Sequence, residues 1–551
     1  MELWLQTQSW KNTIAKLQKL KQNKEEPFEH FDWKLDFPEV LNPYLVPDEK
    51  QRGFDIVIAN PPYLKERDNA HIFNDVNNSK FGQLWHQGKM DYWFYFLHKA
   101  IDINRQGIGV ISFITSRYWL NSQGAQKLIS RVASNLSFIN VVDIGKLKVF
   151  DNVAGHHMIH IYKHSKGDGF IYKKLQNNIK SLSNDIENND LKIRFLSNSK
   201  VFRNGSEIIF ADDNLSTTIK TCELGSVFDV SQGVVEASDK ISSKQYKIKP
   251  NPKFHIGQGV FVLSKDELRQ LNLNKSESRL IKPYLEPYNV GRYFIDKSEP
   301  KYLIYSDKDA KERIAQNSEY RNIKKHLYSL RDYITSSNAP YGLHRARQSA
   351  FFENPKIIFK GMFVSPEFCI DYDKFYFGLS FSSIIQKNKN YSLKYLLAIL
   401  NSKFAKQWFY NNGKLRGAGV DISVEKLRTF PIPTITKQSQ FDAFVDYIIF
   451  VKSCGSSDTT CKLMPTYFEQ IIDGMVYELY FPELIKKHKR EIIQHLGELP
   501  EFTDKMSDEQ KMNICKTVFN RLNDREHPVR VNLEKMKAEI KEIRIIEGID
   551  N

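Results

Sequence analysis

The sequence predicts an α/β protein that continues into a second region of short strands and helices and ends in a helical segment. Three observations carry this. A short apolar run, Gly53-Phe54-Asp55-Ile56-Val57-Ile58-Ala59, stops abruptly at Asn60-Pro61-Pro62-Tyr63. Apolar residues then recur at helical spacing from Met90 to Ile101, and a second buried-strand pattern follows over Gly107 to Thr115. From about residue 437 the apolar stripes are helical, as in Phe441 to Lys452 and Tyr467 to Leu479.

Taken in order, Trp4 to Lys24 reads as a Lys/Gln-rich amphipathic helix, and Phe31 to Val40 as an aromatic-rich segment before the first strand. Pro47-Asp48-Glu49-Lys50 reads as a solvated turn. Val57 and Ile58 are β-branched strand interior, and two consecutive prolines fix φ and remove two backbone donors, so the strand ends at Asn60 with its carbonyls pointing outward. That ending has a specific chemical use. Asn60 Oδ1 and the Pro61 carbonyl can each accept one N–H of an exocyclic amino group, orienting its lone pair and stabilising the positive charge that develops as it attacks a methyl donor. Tyr63 offers a face on which a flipped base can stack. No general base is needed before attack, because the amine is already a nucleophile and the gain comes from alignment. As pattern alone, the tetrapeptide is also an ordinary strand-to-turn junction.

Ser116-Arg117-Tyr118-Trp119-Leu120 follows the second strand, and Val141 to Ile144 reads as a third. Lys148-Val149-Phe150-Asp151-Asn152-Val153 reads as a loop before a strand at Met158 to Tyr162. Phe150 is either a core aromatic or an exposed stacking face. His156, His157 and His160 do not read as a metal site, because no Cys or carboxylate stands at zinc-ligand spacing around them. Gln176 to Ser199, rich in Asn, Ser and Lys, reads as a polar surface connection. Val531 to Ile545 is charged and amphipathic.

The 551-residue chain has a formal charge of +15 and a pI near 9.2, which points to a polyanionic partner. It lacks an uninterrupted apolar stretch of ~18 residues and the apolar core of a signal peptide, so the expectation is a soluble cytoplasmic protein without a membrane partner. Its five cysteines, Cys222, Cys369, Cys454, Cys461 and Cys515, are scattered and odd in number, as expected of reduced thiols.

The Gly-Phe-Asp-apolar run ending in Asn-Pro-Pro-Tyr resembles motif IV of the amino-methyltransferases, in particular the adenine-N6 DNA methyltransferases of type IIG and related restriction–modification systems. Met90 to Ile101 resembles that family's motif V helix, and the Phe150 loop its motif VIII. The resemblance implies catalysis by Asn60, Pro61, Pro62 and Tyr63, base stacking between Tyr63 and Phe150, and S-adenosyl-L-methionine as cofactor. It also implies contact of that cofactor with Asp36, Phe37, Asn60 and Pro62. Leu224 to Val234, Ile281 to Leu285, the helices at Tyr395 to Ser402 and Phe404 to Phe409, and Phe430-Pro431-Ile432-Pro433 resemble the family's target recognition domain. Within it, Arg345, Arg347, Gln348, Lys414 and Arg416 are the candidates for contacts to double-stranded DNA, positioning phosphates or reading base edges, with a solvated basic face as the alternative. Tyr341, His344 and Gly417 lie beside them.

The implied fold is a partial Rossmann-like class I methyltransferase domain lacking its cofactor-loop portion, then an α+β target recognition domain and a helical C-terminal region. The expected boundaries are 1–27 (helix and linker), 28–165 (methyltransferase motifs), 166–215 (connection), 216–435 (target recognition) and 436–551 (helical). The family's Gly-rich loop does not precede Asn60, so the cofactor loop, and any nuclease domain, is expected on an upstream partner polypeptide. Two other readings stay open: a non-catalytic DNA specificity subunit or inactive remnant, and methylation of an RNA base or a protein glutamine. Adenine over cytosine-N4 rests on the resemblance and on Tyr63.

Overall fold

The architecture is taken from a computed structural model, which describes residues 8, 10, 11, 14, 15, 18, 31–145, 147, 149–150, 156–175, 191–203, 205–210, 219–416, 418–434, 438–454 and 459–549. Most of the expected Trp4 to Lys24 helix, the Asp151 to Val153 loop end, residues 176–190 and Gly417 lie outside this set. The chain divides into two compact units, residues 1–210 and 211–551.

In the first unit six strands form one mixed sheet: β1 (Ile56–Ala59), β2 (Val110–Ser116), β3 (Ser137–Gly145), β4 (His157–Lys163), β5 (Gly169–Leu175) and β6 (Leu191–Ser197). Their spatial order is β1-β2-β4-β3-β5-β6. β1 runs parallel to β2 and β3 parallel to β5, while β4 is antiparallel to both β2 and β3. The carboxyl ends of β1, β2, β3 and β5 therefore share one edge of the sheet. β1 is fixed at its start by Gly53, whose φ of +121° brings its Cα face so close to Arg105 that a Cβ would stand 2.6 Å from the Arg105 nitrogen. Phe54 then exchanges hydrogen bonds with Ile103 and Arg105, at 2.8 and 2.9 Å.

One face of the sheet carries the core. The Trp93–Ile103 helix buries Trp93, Phe94, Leu97 and Ile101 there, with Trp119, Ile129 and Val132. Its apolar residues recur at helical spacing, so nearly all of one flank is removed from water. The other face is open and apolar. Ile56 and Ile58 are 68% and 78% exposed, and Ile139, Ile171, Ile193 and Phe195 are exposed beyond them.

The sheet continues past residue 165. Residues 169–175 and 191–197, expected within a polar connection, are paired strands, with Phe170, Tyr172 and Leu196 turned inward and charged side chains between them. The core of the unit extends to Phe210.

The second unit contains two four-stranded sheets. One is antiparallel, in the order Phe228–Gln232, Phe381–Gln386, Lys356–Lys360, Phe368–Asp371. The other orders Val262–Leu263, Lys301–Ile304, Ile281–Leu285 and Tyr376–Phe377. The helices Leu393–Leu400 and Lys403–Asn412 pack with Ser439–Ser453 and Thr459–Tyr480 in one core that runs from Leu224 to Ile546. Glu469 on the long helix ion-pairs with Arg292 at 2.6 Å and Lys452 at 3.0 Å. The amphipathic run Val531 to Ile545 is two helices, Pro528–Glu539 and Lys541–Glu547, because Ile540 adopts an extended backbone between them. Among the described residues no helix is long and apolar enough to cross a membrane.

Candidate functional site

The loop after β1 is built by subtraction of hydrogen bonds. Pro61 and Pro62 cannot donate, so pairing with β2 stops at Ala59, opposite Phe113, and Asn60 emerges exposed at the carboxyl edge. Pro61 is buried and Pro62 exposed. Among the described residues no hydrogen bond uses the Pro61 carbonyl. The loop is then stitched to the chain entering the Trp93–Ile103 helix: Tyr92 N–H donates to the Leu64 carbonyl at 2.8 Å, and Glu66 N–H to the Met90 carbonyl at 3.1 Å. Glu66 returns a carboxylate to Met90 N–H at 3.2 Å and meets His86 at 2.7 Å.

Tyr63 is half-buried, and its hydroxyl faces two acceptors. It donates to the Ile114 carbonyl at 2.8 Å, while Asn60 Oδ1 stands 3.5 Å away. With the single hydroxyl proton held by Ile114, Asn60 Oδ1 keeps its lone pairs for another donor. Burial, followed by the nearby Asp91 carboxylate, pushes the Tyr63 phenol up to about 12, so it stays protonated. Asp91 itself is buried, accepts the Tyr118 hydroxyl, and is pushed up to about 6 by desolvation.

Phe150 comes back to this loop from 87 residues further along the sequence. Its ring centroid lies 6.3 Å from that of Tyr63, with the planes tilted by 51°. A base between two rings, at about 3.5 Å from each, requires roughly 7 Å and near-parallel planes. The pair therefore approaches that spacing and differs from it mainly by ring rotation. His157, which sequence reasoning considered only as a metal ligand, lies against both rings, 5.8 Å from Tyr63 and 5.3 Å from Phe150. It is buried, among the described residues neither ring nitrogen has a hydrogen-bond partner, and burial, then His156, lowers its pKa. Its position follows from register, Gly145 and Ser116 both pairing with it, which no local pattern discloses. His160 is buried three residues further along β4 and bonds Thr115 at 2.8 Å. Among the described residues no group of His, Cys, Asp and Glu could hold a metal ion.

Asp36 and Phe37 are not brought to Asn60. Phe37 packs on Trp33 and Phe54, 6.2 and 5.2 Å between centroids, and Asp36 accepts the Asp32 N–H at 2.7 Å. Phe54 stands at the amino end of β1, six residues and about 20 Å of extended chain from Asn60. The segment enters β1 from its amino end, where its rings pack on Phe54.

In the second unit, Arg345 is exposed in a bridge with Val235, and Gln348 is exposed three residues on. Arg347 lies between them in left-handed backbone, φ +63°, donating to the Gly233 carbonyl at 3.3 Å and to Gln232 Oε1 at 3.1 Å. Burial, then the adjacent Arg345, lowers its pKa. Lys414 and Arg416 are exposed on a hairpin with Gly419–Asp421, and Arg416 pairs with Asp421 at 2.8 Å. Register places both groups off one end of the antiparallel sheet. Gln232 pairs with Ser382, Ser382 with Phe359, and the strand beyond, Met362–Phe363, pairs with Asp421 and Val420.

Comparison with known proteins gives two family matches: the Eco57I restriction-modification methylase model over residues 1–150, and the TaqI-like C-terminal specificity domain model over residues 282–432. The type II methyltransferases M.HindII and M.HincII of Haemophilus influenzae are 23% and 22% identical over 441 and 428 residues. Each alignment covers 73% of this chain, and 79% and 78% of those proteins respectively. The type IIL restriction-modification enzyme MmeI, solved in complex with DNA, superposes with a TM-score of 0.52 at 11% identity, over 87% of this chain and 59% of that one; this likeness concerns the fold. The chain is thus homologous to the type II methyltransferases of restriction–modification systems, with an Eco57I-type methylase region followed by a TaqI-like specificity region.

Proposed function

We propose that the chain is a site-specific DNA adenine-N6 methyltransferase component that works with a polypeptide segment carrying the Gly-rich cofactor loop. The observation that carries this reading is the loop at the carboxyl end of β1: Asn60 Oδ1 and the Pro61 carbonyl available as acceptors, with Tyr63 and Phe150 beside them. A flipped adenine held by the two rings gives its two amino hydrogens to these oxygens, which turns the nitrogen lone pair outward and stabilises the charge that forms on it. The Ile114 carbonyl keeps the Tyr63 proton from competing for Asn60. S-adenosyl-L-methionine, when bound, supplies the electrophilic methyl group. Asn60 and Pro62 suit the side of the loop that its methyl group faces, and Asp36 and Phe37, packed at the amino end of β1, are the proposed contacts of its adenine.

The open face and edge of the sheet support the need for a further segment. Sheets with parallel strands are covered on both faces, and contiguous exposed apolar surface marks an interaction site. β1 pairs only with β2 among the described residues, and its Ile56 and Ile58 stand in solvent. A strand added beside β1, with a helix over these two side chains, would complete the layer. The specificity region, with Arg345, Arg347, Gln348, Lys414 and Arg416 off one sheet end, is then the reader of duplex DNA. The test is nucleoside analysis of DNA after incubation with labelled S-adenosylmethionine, using this chain alone and with the product of the neighbouring upstream reading frame. N6-methyl-2′-deoxyadenosine supports the reading. N4-methyl-2′-deoxycytidine overturns its base assignment, and DNA binding without methylation, alone or in the mixture, leaves a specificity module.

A further inference from the structure

The basic residues off the end of the antiparallel sheet are not equivalent, and one of them is held in a way that a phosphate contact does not need. Arg345 and Arg347 share a segment anchored at both residues. Arg345 and Val235 exchange backbone hydrogen bonds at 2.9 and 3.0 Å, and the Tyr305 hydroxyl donates to the Arg347 carbonyl at 2.9 Å. The strand end Gln232-Gly233 beside them is equally fixed. Gly233 N–H donates to the Phe381 carbonyl at 2.9 Å, and a Cβ on Gly233 would stand 2.2 Å from the Gly378 oxygen. Arg347 itself takes left-handed backbone, φ +63°, which a residue other than glycine keeps only where its surroundings impose it. Its side chain is fixed as well. A guanidinium carries five N–H donors in one plane, with Nε and Nη2 donating along one side and Nη1 and Nη2 forming a fork at the end. In Arg347 the side is taken, Nε by the Gly233 carbonyl at 3.3 Å and Nη2 by Gln232 Oε1 at 3.1 Å. Arginine only donates, so the Gln232 amide must turn its oxygen towards it. Both Nη1 protons and the second Nη2 proton have no acceptor among the described residues. The Arg345 guanidinium, by contrast, is exposed, and no acceptor among the described residues fixes its plane.

We propose that Arg347 reads one guanine of the recognition sequence, donating from Nη1 and Nη2 to its O6 and N7, and that Gln232 is the positioning residue that sets the plane of this fork. A guanidinium held along one side offers its end in a single plane, which is what the two in-plane acceptors on the major-groove edge of guanine require. Preorganisation by Gln232 and Gly233 means that little side-chain freedom is lost when the base is met. A phosphate accepts from many directions and needs no such aim, so Arg345, carried on the same segment, suits the backbone beside that guanine. The ligand follows from the reading of the second unit as the DNA specificity region, on which this assignment rests.

The test is selection from a randomised duplex library by the full chain, followed by Kd measurements on the selected duplex and on each single base-pair change in it. Arg347→Gly suits the left-handed backbone, so it removes the guanidinium and keeps the fold, which a thermal melt checks. Wild type is expected to prefer G·C at one base pair by roughly 5- to 150-fold, the range for a bidentate arginine–guanine contact, and Arg347→Gly to lose that preference alone. Replacing this guanine by 7-deazaguanine, which lacks the N7 acceptor, should weaken wild type and leave Arg347→Gly unchanged. Gln232→Ala should relax the same base pair, whereas Gln232→Glu, which keeps an acceptor oxygen, should retain it. An unchanged preference in Arg347→Gly overturns the assignment. So does an equal loss on every duplex with a shallower salt dependence, which marks a phosphate contact. In both cases selection by wild type leaves the specificity reading standing. If wild type selects no sequence, that reading falls and the role of Arg347 falls with it.

Discussion

Tyr63→Phe and Tyr63→Ala remove different parts of one side chain, and the geometry gives each a magnitude. The Phe variant keeps the ring 6.3 Å from Phe150 and deletes only the hydroxyl that donates to the Ile114 carbonyl at 2.8 Å. The net worth of such a hydrogen bond is about 1 kcal/mol, or roughly a 5-fold loss if it appears wholly in the transfer step. The Ala variant also deletes one stacking face, worth about 1–3 kcal/mol per base, a further loss of roughly 5- to 150-fold. The assay is single-turnover methyl transfer on the unmodified duplex, with flipping read in parallel on a second duplex that carries 2-aminopurine at the target position and so reports flipping but has no 6-amino group to methylate. The Phe variant is expected to flip the base normally and transfer a few-fold more slowly, and the Ala variant to lose both. Equal loss in the two variants would refute the division of roles, because it would place the hydroxyl, and not the ring, at the reacting amine. Wild-type flipping in Tyr63→Ala would refute the stacking role outright.

Ile58→Asp is expected to leave the melting temperature of the chain unchanged, since this side chain stands 78% exposed, yet to abolish activity reconstituted with the upstream polypeptide; thermal melts and complementation assays read the two effects separately. Burial raises the Asp91 carboxyl from 3.8 to about 6, so the folded chain holds this proton more tightly than the unfolded one. The resulting stability is complete below about pH 4 and is lost as the pH rises through about 6. Melting of wild type relative to Asp91→Asn should accordingly improve on acidification from pH 7 to 5. Lys356 and Asp371 form an ion pair with both side chains fully buried, so Lys356→Met strands the carboxylate and should cost about 3–5 kcal/mol in urea unfolding, much of it recovered by pairing the change with Asp371→Asn.

The legible parts of the molecule were those written in consecutive residues. Two prolines after a β-branched run leave few ways to end a strand, and the Trp93–Ile103 helix carries its own period in the sequence. What was hidden depends on register between distant segments. His157 reaches the rings of Tyr63 and Phe150 only because Gly145 and Ser116 both pair with it across two ladders. β5 and β6 were masked because Lys173, Lys174 and Arg194 stand among inward-facing Phe170, Tyr172 and Leu196, so the stretch looked polar on average while alternating in fact. Closeness to Asn60 along the chain does not tell which end of β1 the preceding segment packs against, and here it is the far one.

The most direct test of the central claim is transfer of labelled methyl from S-adenosylmethionine to unmethylated duplex DNA by this chain together with the product of the neighbouring upstream reading frame proposed as its partner, comparing wild type with Asn60→Ala. The account expects transfer in the wild-type mixture and its loss in the variant, with DNA binding retained in both. Transfer that survives Asn60→Ala would contradict it, because the amine would then be held and activated by residues other than those at the end of β1.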